Sequence, residues 1–112
     1  RTREEQQLFA QIQRLAKLRR ESAALRQGST VLLHASESAL VYGRKLGEER
    51  VIAAFNNSKN LATLDISAFD AGVREGAKLS ARLGAGSVTA SDGRLRIVLP
   101  PRSAEIYTLN PR

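Results

Sequence analysis

A change of hydrophobic period at Gly28 constrains the fold of this chain more than any other feature. Before it, Leu8, Ile12 and Leu15 recur at the spacing of one helical face. After it, apolar and polar residues alternate with a period of two, which is typical of half-buried strands. The sequence therefore predicts an N-terminal amphipathic helix that ends at Gly28 and leads into a run of strands.

The strand region is divided by turn signals about every 8–12 residues. Residues 91–93 read Ser-Asp-Gly, a strong hairpin signal, and Pro100 must end a strand because proline has no amide hydrogen to donate. This pattern predicts a mainly β fold, an antiparallel β-sandwich of about eight short strands preceded by the helix. The predicted strands are 31–34, 40–46, 50–56, 61–66, 78–83, 87–90, 94–99 and 104–109, with a loop at 69–76.

Alternation also assigns side chains to faces. Leu40, Tyr42 and Leu46 share one face of the second strand. We expect Tyr42 and Phe55 to lie in the core, and we expect the ring of Tyr107 to be half exposed.

Composition narrows the classes of partner. The chain has 112 residues, enough for one core, and no cysteine, so a disulfide or thiolate metal site is excluded. Its net charge is +7, yet the strands carry neither a basic stripe nor the aromatic platform of proteins that bind single-stranded nucleic acid, so we expect no nucleic-acid partner.

No apolar run could span a bilayer, and no signal peptide is visible. The sequence does not determine the cellular compartment, although the absence of cysteine slightly favours the cytoplasm.

The search for catalytic or cofactor-binding residues finds none. His34 is the one histidine and stands alone in a predicted strand, so a zinc site would need three clustered carboxylates. Asp65, Asp70 and Glu75 form the densest acidic group, and we interpret them as turn formers. The prediction is that this chain holds no catalytic residue, cofactor or metal.

A carbohydrate-binding surface would need exposed aromatic rings. The chain has no tryptophan, two tyrosines and three phenylalanines. Tyr107 is the one aromatic residue that we predict as a possible sugar contact, with an α-glucan as the partner.

Four segments in order resemble the α-amylase-type enzymes of glycoside hydrolase family 13. Residues 15–29, LAKLRRESAALRQGS, resemble the last barrel helix of these enzymes and its exit, although Ser22 and Ala23 stand where His-Pro is common. Residues 40–44 (LVYGR), 51–58 (VIAAFNNS) and 99–106 (LPPRSAEI) resemble the sandwich that follows the barrel.

The resemblance implies a non-catalytic C-terminal accessory domain that stabilises a missing catalytic barrel. The catalytic carboxylates of the family lie upstream of everything present here, and none maps onto this sequence. Residues 1–28 would be the last barrel helix and its exit, and residues 29–112 would be the sandwich. The parent enzyme would cleave α-glucosidic bonds by a retaining, two-carboxylate mechanism, as a hydrolase or a transglycosylase.

The resemblance also gives the apolar helix stripe a role. Leu8, Ile12, Leu15 and Leu18 would contact the barrel, or would pair with a second copy and form a homodimer. Two other functions stay open from the sequence. One is a small carbohydrate-binding module that uses Tyr107, and the other is a basic protein-interaction domain that uses Arg19 and Arg20.

Overall fold

Residues 29–109 form eight antiparallel strands and one short helix in the computed structural model, which describes these residues together with Arg3. The elements are β1 (Ser29–Ala35), β2 (Ala39–Leu46), β3 (Glu49–Asn56), β4 (Ala62–Ser67), α1 (Ala68–Ala71), β5 (Lys78–Ala81), β6 (Ser87–Thr89), β7 (Arg94–Leu99) and β8 (Ser103–Leu109). The mainly β, antiparallel prediction is confirmed. The predicted N-terminal helix lies outside the described residues.

The strands form two sheets of unequal size. The large sheet has the order β1-β2-β3-β8-β5-β6, and the small sheet pairs β4 with β7. Between the sheets lies the main core, to which the large sheet contributes Val41, Ile52 and Tyr107. The small sheet contributes Leu64, Ile66, Leu95, Ile97 and Leu99. Each sheet thus has one inner face towards this core and one outer face.

Strand β3 is buried on both of its faces. Ile52 and Ala54 belong to the main core, whereas Val51 and Ala53 point the other way and pack with Leu83 and Ile106 in a second cluster. A strand buried on both sides is a near-continuous apolar run, which the sequence VIAAF supplies. The outer face of the large sheet therefore carries an apolar layer of its own.

Asn56 connects the ends of the two sheets. Its buried side-chain Nδ2 lies 3.2 Å from the Leu99 carbonyl at the end of β7 and 2.9 Å from the Pro100 carbonyl. Its Oδ1 accepts hydrogen bonds from the amide and the hydroxyl of Ser58. Since a buried amide needs such partners, this asparagine fixes the β3 exit against the β7 exit.

The expectation that Tyr42 and Phe55 lie in the core is wrong for the main core. Leu40, Tyr42 and Leu46 do share a face, but the face that meets the core carries the smaller residues Ala39, Val41 and Gly43. A Cβ at Gly43 would lie 3.3 Å from Leu33 Cδ1, so the packing there is close. Consequently Tyr42 and Phe55 are half-buried on the outer face and do not belong to the main core.

The predicted loop at 69–76 begins as a helix. The Ser67 hydroxyl accepts a hydrogen bond from the Asp70 amide at 3.1 Å and caps the N-terminus of α1. Gly72, with φ of 74°, ends the helix in the left-handed conformation that glycine adopts without strain. Strand β5 ends at Ala81, two residues earlier than predicted. In the part of the chain that is described, no helix is long and apolar enough to cross a membrane.

Candidate interaction surfaces

The outer face of the large sheet exposes apolar side chains that lie side by side. Register pairs Leu40 with Phe55 and Leu32 with Tyr42, and the rings of Tyr42 and Phe55 stack with centroids 6.1 Å apart. Leu32 is 62% exposed and Leu40 is 41% exposed. We call these four residues the apolar face. Side chains arranged in this way across three strands form the kind of patch that marks an interaction site.

A cleft of about 300 Å³ lies at one end of the apolar face. Phe55 and Ala104 give it an apolar wall, and Asn57, Arg102 and Ser103 line its rim. Arg102 adopts φ of 52°, a conformation that is uncommon for a residue with a side chain. The cleft therefore extends the apolar face, and the polar groups that line the cleft mark where that face ends.

The outer face of the small sheet is polar instead. A groove of about 380 Å³ runs along it, which we call the polar groove, lined by Thr63, Asp65, Thr89, Ser91, Asp92, Arg94 and Arg96. Arg94 Nε lies 3.2 Å from Asp65 Oδ1, and Arg94 Nη2 donates to the Asp65 carbonyl at 3.0 Å. Asp65 is also the register partner of Arg96. The two carboxylates and two guanidinium groups of the groove balance in charge.

Glu75 shapes the turn at one end of the polar groove. Its carboxylate accepts hydrogen bonds from the Gly93 amide at 3.0 Å and from the Asp92 amide at 2.7 Å. These two bonds, Gly93 first, stabilise the charged form and hold the pKa of Glu75 below its ordinary value. Asp92 itself has φ of 54°, so the turn is tight. The hydrogen bonds that hold it come from Glu75, which lies outside the turn. Glu75 is therefore a positioning group for this end of the groove.

An exposed aromatic residue in α1 follows the residue whose backbone is bonded to this turn. Phe69 is 88% exposed. It follows Ala68, whose amide donates to the Gly93 carbonyl at 2.9 Å, between Asp92 and Arg94. Sequence reasoning missed this residue because a phenylalanine near two glycines was interpreted as part of a loop. The Ser67 cap that begins α1 was the available signal.

The structure places Tyr107 in the main core. Its side chain is only 7% exposed and pairs with Ile52 across β3 and β8. Burial, followed by the charge of Glu105, raises the pKa of Tyr107. The expectation of half exposure is therefore wrong, because β8 turns this ring towards the small sheet. A sugar contact by Tyr107 stays a prediction, and its burial argues against it.

The other predicted contact residues cannot be placed. Leu8, Ile12, Leu15 and Leu18 lie outside the described residues. His34 lies half-buried in β1, paired with Val41. Within residues 29–109, no group of three or more His, Asp or Glu side chains is arranged to hold a metal ion.

Comparison with known proteins decides the family. The model of the α-amylase C-terminal domain matches residues 28–107, which span almost the whole two-sheet unit. The chain belongs to this family. The sequence-based resemblance to α-amylase-type enzymes is thereby confirmed, and the two-sheet unit is a C-terminal domain that accompanies a catalytic domain in this family. Among curated proteins, none matches the chain significantly.

Solved structures of family enzymes share the fold. An Anoxybacillus α-amylase matches with a TM-score of 0.78 and 26% identity, over 91% of this chain and 22% of its own. A Geobacillus thermoleovorans α-amylase, complexed with acarbose, gives 0.81 and 23% identity over 90% of this chain and 22% of its own. A Nostoc punctiforme debranching enzyme gives 0.63 and 29% identity over 84% of this chain and 18% of its own. This chain thus spans about a fifth of the length of each of these three enzymes.

Proposed function

We propose that this chain is the non-catalytic C-terminal domain of an enzyme that acts on α-glucans, and that its apolar face is seated against the catalytic domain. Family membership supports the first part, because the matching enzymes include α-amylases and a debranching enzyme. The parent would cleave or transfer α-glucosidic bonds with carboxylates that this chain does not contain. The role of the present domain is then to cover apolar surface of its neighbour.

The observation that carries the proposal is the apolar face itself. Tyr42 and Phe55 pack against the buried cluster of Val51, Ala53, Leu83 and Ile106. Leu32 and Leu40 are their register partners, so the patch is anchored at its aromatic side chains. Burying exposed apolar area contributes about 25 cal/mol per Å², and it requires no rearrangement of a preformed patch. A domain that lacked a partner on this side would leave leucine side chains in water.

The division of the chain follows from the same proposal. Residues 1–28 supply the last helix of the catalytic barrel with its exit, and residues 29–112 supply the two-sheet unit. The stripe of Leu8, Ile12, Leu15 and Leu18 packs in the barrel, while β1, which begins at Ser29, holds the two-sheet unit beside it. The apolar face then meets the outer surface of that barrel. A second copy of the chain is the competing occupant of this stripe.

A pair of matched substitutions tests the seating. Leu40→Glu places a charge on the apolar face, and Val98→Glu places the same charge on the outer face of the small sheet, where Val98 is 48% exposed. In the native full-length polypeptide, we expect Leu40→Glu to lower the free energy of unfolding by at least ~2 kcal/mol, since a charge would be buried without a partner. Val98→Glu should have little effect. Thermal unfolding by calorimetry measures both.

The isolated 112-residue chain supplies the control. There both variants should unfold at nearly the same temperature, because neither side chain is buried. Equal effects in the full-length polypeptide would contradict the seating, and a native polypeptide no longer than this chain would contradict the parent enzyme. If the isolated chain is a dimer that Ile12→Asp converts to a monomer, the helix stripe binds a second copy instead of a barrel.

A further inference from the structure

We propose that the cleft at the end of the apolar face is the anchor point of the interface with the catalytic domain. It receives one large apolar side chain of that domain, next to a carboxylate that pairs with Arg102. The inference rests on the proposed seating of the apolar face and deepens it by naming the chemistry of the partner. The cleft, of about 300 Å³, is lined by Phe55, Asn56, Asn57, Arg102, Ser103 and Ala104.

The apolar wall of the cleft is preformed. Phe55 and Ala104, which supply it, are register partners on β3 and β8. The ring of Phe55 stacks on Tyr42 and packs against the second buried cluster, so the wall is held from below. Pockets of this kind take the few anchor side chains that contribute most of the binding energy of an interface.

The size and position of the cleft favour a side chain of a neighbouring domain over a free ligand. Its volume of about 300 Å³ is at the lower limit for small-molecule pockets, which span ~300–1,000 Å³. Phe55 belongs both to the cleft and to the apolar face, so a partner seated on that face reaches the cleft. One large side chain of that partner is therefore the occupant that fits both observations.

The charge of the cleft determines what must accompany that side chain. Arg102 is the one charged residue of the lining. Within residues 29–109, no hydrogen bond or ion pair is made by its guanidinium group. A cation that is removed from water without a partner is strongly destabilising, whereas a complementary carboxylate offsets that cost. A domain that covers the cleft must therefore bring an acidic group to Arg102.

The backbone at Arg102 is consistent with a role for its side chain. Its φ of 52° is a conformation that glycine adopts with less strain. The turn is fixed nonetheless, because the Arg102 amide donates to the Ser58 carbonyl at 3.0 Å and Ser103 Oγ donates to the Pro100 carbonyl at 2.7 Å. Strained backbone of this kind clusters at sites that contact ligands or partners.

A small anion with the chemistry of the occupant tests the cleft directly. Titration of the 112-residue chain with 4-phenylbutyrate, followed by amide chemical shifts in NMR, should give saturable shifts at residues 55–57 and 102–104. Arg102→Gln should weaken this binding about tenfold, because a charge-assisted hydrogen bond is lost. The matched control is Arg96→Gln on the outer face of the small sheet, which should leave the affinity unchanged. Absence of saturable shifts, or equal affinity of the Arg102 variant, would overturn the stated chemistry.

The native full-length polypeptide tests the occupant. There the cleft should be filled, so 4-phenylbutyrate binding that Arg102→Gln abolishes would show an open cleft and overturn the proposal. In calorimetry, Arg102→Gln should lower the Tm of the full-length polypeptide by about 2 °C and leave the Tm of the 112-residue chain unchanged. Arg96→Gln should change neither.

A second variant separates the cleft from the seating of the whole face. Ala104→Leu fills the cleft with a side chain of its own, so it should block the probe in the 112-residue chain and lower the Tm of the full-length polypeptide. If Leu40→Glu destabilises the full-length polypeptide while Arg102→Gln and Ala104→Leu do not, the seating holds and the anchor point is overturned. If none of the three does, the seating fails as well.

Discussion

The two outer faces of this domain differ in their side chains. The outer face of the large sheet includes a second buried cluster, against which Tyr42 and Phe55 pack, and strand β3 is buried on both faces. The small sheet is buried on one face only, so core residues of β4 and β7 alternate with outward-facing residues, which are polar or charged apart from Val98. An apolar face of this kind is typical of an interaction surface, whereas a polar face is typical of a surface that meets water.

The difference teaches how an accessory domain can combine two surfaces in about 80 residues. Both surfaces share one core, and each strand of the small sheet contributes to that core and to the polar groove at the same time. Substitutions can therefore separate the surfaces only if they are made on the outward-facing residues. Three predictions compare the two surfaces and the residues that support them.

The largest expected effect distinguishes the layers beneath the two faces. Ile106 is fully buried under the apolar face, so Ile106→Ala should lower the free energy of unfolding by ~2–5 kcal/mol through the lost contacts and the cavity. Arg96→Ala, on the outer face of the small sheet, should change it by less than ~0.5 kcal/mol. Urea unfolding of the 112-residue chain measures both. Similar losses from the two variants would remove the distinction between the faces.

A smaller effect is expected from the carboxylate that holds the end of the polar groove. The Gly93 and Asp92 amides lower the pKa of folded Glu75, so its contribution to stability is present above the unfolded pKa of about 4.3. That contribution is lost as the pH falls through the folded pKa. Glu75→Gln should therefore flatten the dependence of the urea midpoint on pH below about pH 5.

The control for Glu75 is Glu37→Gln, which changes an exposed glutamate in the turn between β1 and β2. That variant also removes one carboxylate, but it leaves the hydrogen bonds between Glu75 and the Asp92 and Gly93 amides in place. A pH profile that is the same for Glu75→Gln and for the unchanged chain would show that the turn does not depend on this carboxylate.

The smallest effect concerns the ion pair in the polar groove. Asp65 and Arg94 are both largely exposed, so a double-mutant cycle with Asp65→Asn and Arg94→Gln should give a coupling energy below ~1 kcal/mol. The coupling should weaken further in high salt. A larger coupling that persists in salt would mean that the ion pair contributes to the stability of the fold.

Much of the two-sheet unit was predictable from local patterns. Period-two alternation located all eight strands, since side chains of a strand point to opposite faces and one face is buried. The Ser-Asp-Gly turn and the Pro-Pro end were placed correctly because glycine and proline act through their own backbone limits. The family could also be inferred from the ordered segments, and residues 28–107 match its model.

Face assignment was less predictable. Alternation shows that Leu40 and Tyr42 share a face, but it does not say which face meets the second sheet. The structure gives the inner position to Val41 and Gly43, and a Cβ on Gly43 would crowd the Leu33 and Val31 side chains of the neighbouring strand β1. The same uncertainty explains the wrong expectation for Tyr107. Its ring lies on the inner face of β8, as the side chain of its register partner Ile52 does on β3.

The sequence by itself determined the strands, their turns, the absence of cysteine chemistry and the membership of the α-amylase C-terminal domain family, because each is written in local spacing or composition. The tertiary structure alone decided which outer face is apolar, which aromatic ring is exposed, and which charged groups share a groove. The physical reason is that exposure depends on neighbours distant in sequence. Asp65 and Arg94 come together only because β4 pairs with β7.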